Sequence, residues 1–266
     1  LASTLSIIYT PLHGTGLIPI SRLFQAAGFT NLHLVEEQIT ADPNFSTVIC
    51  PNPEDEAACS LALGLAQRQG GDIILVTDPD ADRVGLAVRN GDEFIHLTGN
   101  QTGALLIDYI LTSKAEQGSL PANGIIIKTI VTSQMGAQIA AKHSIGHVDV
   151  LTGFKYIGEK AQEFRVSGMY TFLFGYEESY GYLISDYVRD KDAVQACLLI
   201  GEMALYYKSK GLNLYERLQQ LYNQFGFYQE DLVNIQLAGM DGQKHIARIL
   251  DYLRREPPLT LAANKL

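Results

Sequence analysis

Asp72-Ile73-Ile74-Leu75-Val76-Thr77-Asp78-Pro79-Asp80-Ala81-Asp82-Arg83-Val84-Gly85-Leu86-Ala87-Val88 joins two short apolar runs through one acidic loop. Each run is rich in β-branched residues and too short for a helix, so both read as strands. Asn90-Gly91 then marks a tight hairpin into Glu93-Phe94-Ile95-His96-Leu97. Upstream, strand-like runs at 4–9 and 32–35 alternate with a helical pattern at 18–27 that Gly28 stops. Asn52-Pro53-Glu54-Asp55-Glu56 has the composition of a helix start: an N-cap residue, a proline and then acids. That helix is expected to run to Gln69, before Gly70-Gly71. Strands alternating with helices predict βαβ units and a mostly parallel sheet.

The pattern restarts downstream. A helix over 101–113 and a polar loop over 114–123 precede strands at 125–130, 147–151 and 170–174. Helices at 135–143 and 156–164 lie between them, and helices at 191–210 and 214–224 follow. A strand at 232–237 and a helix at 243–255 fit neither unit. The expected fold class is therefore α/β, two tandem three-layer units with mixed, mostly parallel sheets. The units span 1–98 and 99–226, and 227–266 is a linker and the start of a further domain. Leu1 stands where a methionine would open a gene, and a strand begins within four residues. Both features lead us to expect a portion of a longer protein.

The 266 residues carry 20 Lys and Arg against 29 Asp and Glu, a net charge of −9. Without a basic block this balance argues against nucleic-acid binding. No apolar stretch approaches the length of a membrane helix, and no signal peptide opens the chain. Cys50, Cys59 and Cys197 are an odd number with no CxxC spacing, which predicts reduced thiols and a cytoplasmic location.

Ligands of open α/β sheets bind beyond the carboxyl ends of the strands, so the loops there are where function is sought. In 78–83, Asp78, Asp80 and Asp82 are spaced by two along one tight loop. Three carboxylates converging on one hard cation suit Mg²⁺, and a solvated acidic turn is the alternative. Calcium of the EF-hand type is excluded, since Arg83 and Arg89 stand where glycine and glutamate are needed. The loop Thr10-Pro11-Leu12-His13-Gly14-Thr15-Gly16 could bring amides to an anion or be a plain connection, and His13 could be structural or catalytic. It lacks the third glycine of a dinucleotide fingerprint, and no Walker A motif occurs. Thr152-Gly153-Phe154-Lys155 ends another strand. In Gly175-Tyr176-Glu177-Glu178-Ser179-Tyr180-Gly181, Glu177 and Ser179 can accept from and donate to adjacent sugar hydroxyls, unless they form a solvated turn. Arg189 and Lys191 follow, two cations that could hold a phosphate or merely solvate a helix start.

In this order the four motifs resemble those of the α-D-phosphohexomutases, phosphoglucomutase and phosphomannomutase among them. Residues 78–83 resemble the family's magnesium loop, usually DGDGDR. Residues 175–181 resemble its sugar loop, 151–155 the loop that helps choose sugar orientation, and 189–193 the basic segment that follows. Residues 1–225 are similar to the second and third of four domains. The resemblance implies a phosphate moved between the 1- and 6-positions of a hexose, through a phosphoserine and a bisphosphorylated intermediate. It implies Asp78, Asp80 and Asp82 as Mg²⁺ ligands and Arg83 near the phosphoserine. Arg83 and Lys191 would be catalytic. Thr152, Gly153, Glu177, Ser179, Arg189 and Lys191 would bind substrate. Glucose 1-phosphate, glucose 6-phosphate and glucose 1,6-bisphosphate are the expected partners, with further domains of the same chain.

Pro79 and Ala81 replace the usual glycines of the metal loop. The TASHNP-type phosphoserine loop and the arginine-serine-glycine-threonine clamp do not occur in 1–266, so residues 1–266 alone are expected to be inactive. The family's sugar loop is usually GEES or GEMS, and the resemblance of 175–181 to the GEES type leans toward glucose over the GEMS-type loops of mannose and glucosamine mutases, with phosphomannomutase and phosphopentomutase as alternatives. A dehalogenase-type phosphatase and a non-catalytic sugar-phosphate-binding module are the readings from other classes.

Overall fold

The run 72–88 forms the middle of a five-stranded sheet. In the computed structural model, β3 (Ile73–Thr77) is buried at all five positions. It pairs in parallel with β1 (Ile7–Thr10) and antiparallel with β4 (Val84–Asn90). β2 (Leu32–Leu34) adds in parallel outside β1, and β5 (Glu93–Leu97) antiparallel outside β4 across the Gly91 turn. The order is β2-β1-β3-β4-β5. The structure describes residues 1–230, 237, 239–258, 260–261 and 264–265, in two compact units, Leu1–Tyr228 and Gln229–Leu266.

Alternation along the strands makes the layers. Ile7 and Tyr9 of β1 face α1 (Leu17–Ala26), through Ile20 and Phe24, whereas Ile8 faces Ala62 and Ala66 of α2 (Ser60–Gln69). The second sheet repeats the plan. β6 (Gly124–Thr129) lies between β7 (Gly146–Val150) and β8 (Thr171–Tyr176), parallel to both, and β9 (Tyr182–Leu183) closes the edge antiparallel to β8. α3 (Gly99–Glu116) and α4 (Met135–Lys142) cover the face that carries Ile126 and Phe174. α5 (Phe154–Ser167) covers the face with Ile125 and Ile127.

α6 (Ala193–Ser209) and α7 (Leu214–Phe225) join the halves, because one apolar core holds Tyr9 and Leu75 of the first sheet together with Ile126 and Phe174 of the second. Gly201 permits the close approach of α6 to α1, since a Cβ there would meet Phe24 at 2.8 Å. A buried ion triad pins three helices together. Asp108 of α3 receives Arg217 Nε and Nη2 at 2.8 Å each, and the Tyr207 hydroxyl at 2.5 Å.

The first half departs from expectation at 52–59. Asn52 does not cap a helix. Its Oδ1 accepts from the Glu54 amide at 3.0 Å, and Asp55 caps a 3₁₀ turn, Glu56–Cys59, before α2 begins at Ser60. The reason lies across the sheet. Asn52 also accepts from Arg83, and the Pro53 carbonyl lies against Gly85, where an added Cβ would sit at 2.9 Å. These contacts hold the segment on β4 and out of the helix axis.

In the second unit, α8 (Gly239–Arg255) starts before the expected 243, and β10 (Thr260–Leu261) pairs antiparallel with β11 (Asn264–Lys265). Ile246, Ile249, Leu250 and Leu253 form an exposed apolar stripe on α8. The expected strand at 232–237 lies, Leu237 apart, outside the described residues.

Candidate active site

The acidic loop leaves β3 in a tight turn, with the Ala81 amide donating to the Asp78 carbonyl at 3.0 Å. Ala81 sits at φ 59°, a left-handed conformation that costs a non-glycine residue roughly 1 kcal/mol. This turn folds the carboxylates inward, so that one oxygen from each of Asp78, Asp80 and Asp82 lies within 4.8 Å of the others. Asp78 is buried, and its oxygens accept from the Asp82 amide (3.1 Å), the Arg83 amide (3.0 Å) and Arg83 Nε (2.7 Å). Asp82 Oδ2 pairs with Lys191 Nζ at 2.9 Å, while its Oδ1 is buried without a hydrogen-bond partner. Burial pushes the Asp82 carboxyl above its ordinary range, against the hydrogen bond from Lys191, and Asp78 and Asp80 push in the same direction as burial. An orphaned buried oxygen among three converging carboxylates fits a hard divalent cation.

The loop is braced by the 10–16 segment. Thr15 donates its amide (2.8 Å) and hydroxyl (3.1 Å) to the Pro79 carbonyl. Gly14 makes room, since a Cβ there would meet Pro79 Cα at 2.4 Å. This segment is therefore more than a plain connection, while His13 is structural. Its Nδ1–H donates to the Thr40 carbonyl at 2.8 Å, and its Nε2 is hydrogen-bonded to the Thr47 hydroxyl at 2.7 Å.

The loop from 177 to 181 meets the acidic loop directly. Arg83 and Gly181 form an antiparallel bridge, and the Val84 amide donates to the Tyr180 carbonyl at 3.2 Å. Glu177 is buried, hydrogen-bonded to Ser179, and lies beside Lys191. Burial raises its carboxyl above the usual value, and the charge of Lys191 draws it partly back. Lys191 Nζ also stands 5.9 Å from the Phe154 ring centroid, which ties it to the third loop. Burial draws the Lys191 ammonium down, but the hydrogen bond to Asp82 and the charges of Asp82, Asp190 and Glu177 outweigh it and leave it raised.

The structure thus brings Asp78, Asp80, Asp82, Arg83, Glu177, Ser179 and Lys191 into one cluster where the two loops meet. Gly153 (φ 120°) and exposed Thr152 lie at the mouth of α5, reached through Phe154. Arg189 stands apart from this cluster, exposed, with Nε donating to Gln162 Oε1 on α5 at 2.8 Å.

Sequence reasoning missed several polar residues here. Asn52 Oδ1 (3.3 Å) and Glu54 Oε1 (3.4 Å) hold Arg83 Nη1. Lys128 is fully buried, donating to the Thr129 and Thr132 carbonyls at 3.2 and 3.0 Å and pairing with Asp149 at 3.0 Å. A lone lysine inside the apolar run Ile125-Ile126-Ile127-Lys128 was the available signal, because a buried ammonium is retained only with partners.

Two models of one family match the chain: phosphoglucomutase/phosphomannomutase alpha/beta/alpha domain II over residues 1–91, and domain III over 98–225. A phosphoglucomutase of Staphylococcus haemolyticus is 38% identical over 265 residues, 99% of this chain and 47% of that protein. The chain thus spans about half the length of such relatives. The fold is shared with the phosphoglucomutase pp63/parafusin of Paramecium (TM-score 0.62, 22% identity, 84% of this chain and 38% of that one). It is also shared with an Aspergillus fumigatus N-acetylphosphoglucosamine mutase solved with GlcNAc-6P and magnesium (TM-score 0.55, 14% identity, 82% and 49%). With both of its halves matched in order, the chain belongs to the phosphoglucomutase/phosphomannomutase family, and it carries the stretch that corresponds to domains II and III.

Proposed function

We propose that residues 1–266 supply the metal-binding and sugar-binding parts of a phosphoglucomutase, which moves phosphate between the 1- and 6-positions of glucose through a phosphoserine and glucose 1,6-bisphosphate. The observation that carries this reading is the Lys191–Asp82 pair at 2.9 Å, which with the Arg83–Gly181 bridge joins the acidic loop to the sugar loop. Residues 1–98 form the metal-binding domain, 99–226 the sugar-binding domain, and 227–266 lead into a further domain. The phosphoserine and the phosphate clamp come from outside residues 1–266. The unpaired cysteines favour a cytoplasmic setting.

Asp78, Asp80 and Asp82 would hold Mg²⁺, which when bound would supply neutralisation of charge on the transferring phosphoryl group. Arg83 is held in place by Asp78, Asn52 and Glu54, and so presents its positive charge at a fixed position beside the metal loop. Lys191 links the two loops, and its charge faces the phosphate end of the sugar. Glu177 and Ser179 receive the 3- and 4-hydroxyls, which stay in place while phosphate is exchanged between the two ends of the ring. A site that reads this shared pair accepts either orientation. Thr152 and Gly153 lie at the rim, where the orientations differ, and Arg189 is released from Gln162 to meet phosphate. Glu178, in place of a methionine, favours glucose over mannose.

Steady-state interconversion of glucose 1- and 6-phosphates by the complete protein tests the proposal. Glu177→Gln should lower kcat/KM about ten- to hundredfold in both directions, the cost of a lost charge-assisted acceptor of about 1.5–3 kcal/mol. Asp82→Asn should lower kcat chiefly, since its effect falls on the transferring group. Near wild-type efficiency of Glu177→Gln in both directions would reject the sugar-loop assignment.

A further inference from the structure

Glu178 lies between the two residues assigned to the sugar, yet its carboxylate is turned away from them into the protein. Oε2 accepts from the Thr129 hydroxyl at 3.1 Å and from the Thr132 hydroxyl at 3.0 Å. Both threonines are buried, their hydroxyl oxygens lie 2.5 Å apart, and the Thr132 amide closes the turn onto the Thr129 carbonyl at 3.1 Å. The same turn is fixed from behind by the buried ammonium of Lys128, which donates to both carbonyls and pairs with Asp149. A rigid platform at the carboxyl end of β6 therefore grips one side chain of the 177–181 loop.

The loop needs such a grip. Its backbone is closed by Glu177 N to Gly181 O at 3.0 Å and meets the acidic loop only at its far end, through Tyr180 and Gly181. Tyr180 is held at φ 67°, a conformation disfavoured for a tyrosine and sustained only by its surroundings. On the other side the Glu178 carbonyl presses on Gly99 at the start of α3, where an added Cβ would lie 2.0 Å from it. Backbone packed on α3 and a carboxylate clamped by two hydroxyls together leave residue 178 no freedom to turn.

We propose that Glu178 is a positioning residue. Clamped by Thr129 and Thr132, it holds the 177–181 loop in the conformation that aims Glu177 and Ser179 at sugar hydroxyls. The inference rests on the sugar-binding reading of this loop. It separates two adjacent glutamates by role, Glu177 touching the ligand and Glu178 setting the loop. A methionine at 178 would leave the two hydroxyls without this acceptor, so the loop geometry, and with it the choice of sugar, depends on the platform.

Hydrogen exchange of residues 1–266, read by NMR, and sugar-phosphate kinetics of the complete protein test this together. Glu178→Ala and the pair Thr129→Val/Thr132→Val should each speed exchange of the Glu177 and Val84 amides about tenfold or more, while Ile126 in β6 keeps its protection. Glu178→Gln keeps an acceptor oxygen and should restore most of that protection. In the complete protein, Glu178→Ala should raise KM about tenfold with a smaller change in kcat, and adding the threonine substitutions should bring little further loss. Unchanged loop exchange in Glu178→Ala overturns the proposal, and if KM still rises, Glu178 contacts the sugar itself. Additive losses in the combined variant also overturn it. If the unsubstituted protein takes no hexose phosphate, the sugar-binding reading falls, while the exchange data still decide whether Glu178 sets the loop.

Discussion

Replacing Gly14 by alanine would place a methyl group where the acidic loop now runs. The added Cβ would lie 2.4 Å from Pro79 Cα, 2.5 Å from its carbonyl oxygen and 2.7 Å from its carbonyl carbon. All three are backbone atoms, so no side chain can swing aside, and relief requires the loops to separate by about 1 Å. Overpacking of this kind costs about 1–3 kcal/mol. Separation also weakens the two hydrogen bonds from Thr15 to the Pro79 carbonyl, worth about 1 kcal/mol each. The expected destabilisation is therefore about 2–4 kcal/mol by urea denaturation. Because Pro79 lies between Asp78 and Asp80, Mg²⁺ affinity measured by calorimetry should fall about tenfold or more. Gly64→Ala is the control, since its Cβ meets only the tip of Arg68 at 3.4 Å, and alanine within α2 should add up to about 1 kcal/mol. A Gly14→Ala protein within 0.5 kcal/mol of its parent by this measure, with unchanged Mg²⁺ affinity, would refute the bracing role of the 10–16 segment.

Three further outcomes follow from other parts of the fold. Arg217→Ala leaves the buried Asp108 carboxylate without its guanidinium partner, and should destabilise by about 3–5 kcal/mol in chemical denaturation, with Asp108→Leu/Arg217→Leu recovering much of it. Burial lowers the pKa of His96 below its ordinary 6.5, against opposing contributions from Glu56 and the Pro53 carbonyl. The unfolded chain therefore binds that proton more readily, and stability attributable to His96 is lost as pH falls below 6.5. The difference in unfolding free energy between the parent and His96→Gln should accordingly shrink between pH 7 and 5, and a flat difference would contradict this. Lys191→Met removes a positive charge from the carboxylate cluster, so Mg²⁺ should bind about fivefold tighter by calorimetry, roughly 1 kcal/mol, even as sugar-phosphate turnover is lost.

What could be read from sequence follows the range of the forces involved. β3 and β6 were legible because apolar runs of five or six residues state their burial locally, as did Asn90-Gly91 for its turn. Asp78, Asp80 and Asp82 were legible because one tight loop sets their convergence. The start of α2 was not, because Arg83, some thirty residues away, competes for Asn52. The clamp on Glu178 and the partners of Lys128 were hidden for the same reason, since they join β6, β7 and the 177–181 loop through tertiary contacts. Arg189 and Lys191 looked alike as neighbouring cations. The structure separates them, because helix α5 offers Gln162 to one and the acidic loop offers Asp82 to the other.

We propose that the acidic loop and the 177–181 loop form a single metal and sugar-phosphate site. Paramagnetic broadening by Mn²⁺, used in place of Mg²⁺, tests it most directly. Substoichiometric Mn²⁺ should broaden the amide resonances of Asp82, Ser179 and Gly181, together with the phosphorus resonance of added glucose 6-phosphate. The Asp78→Asn/Asp80→Asn/Asp82→Asn protein should lose all of these effects at once. Broadening that spares Ser179 and Gly181, or that survives the triple substitution, would place the metal elsewhere and contradict the account.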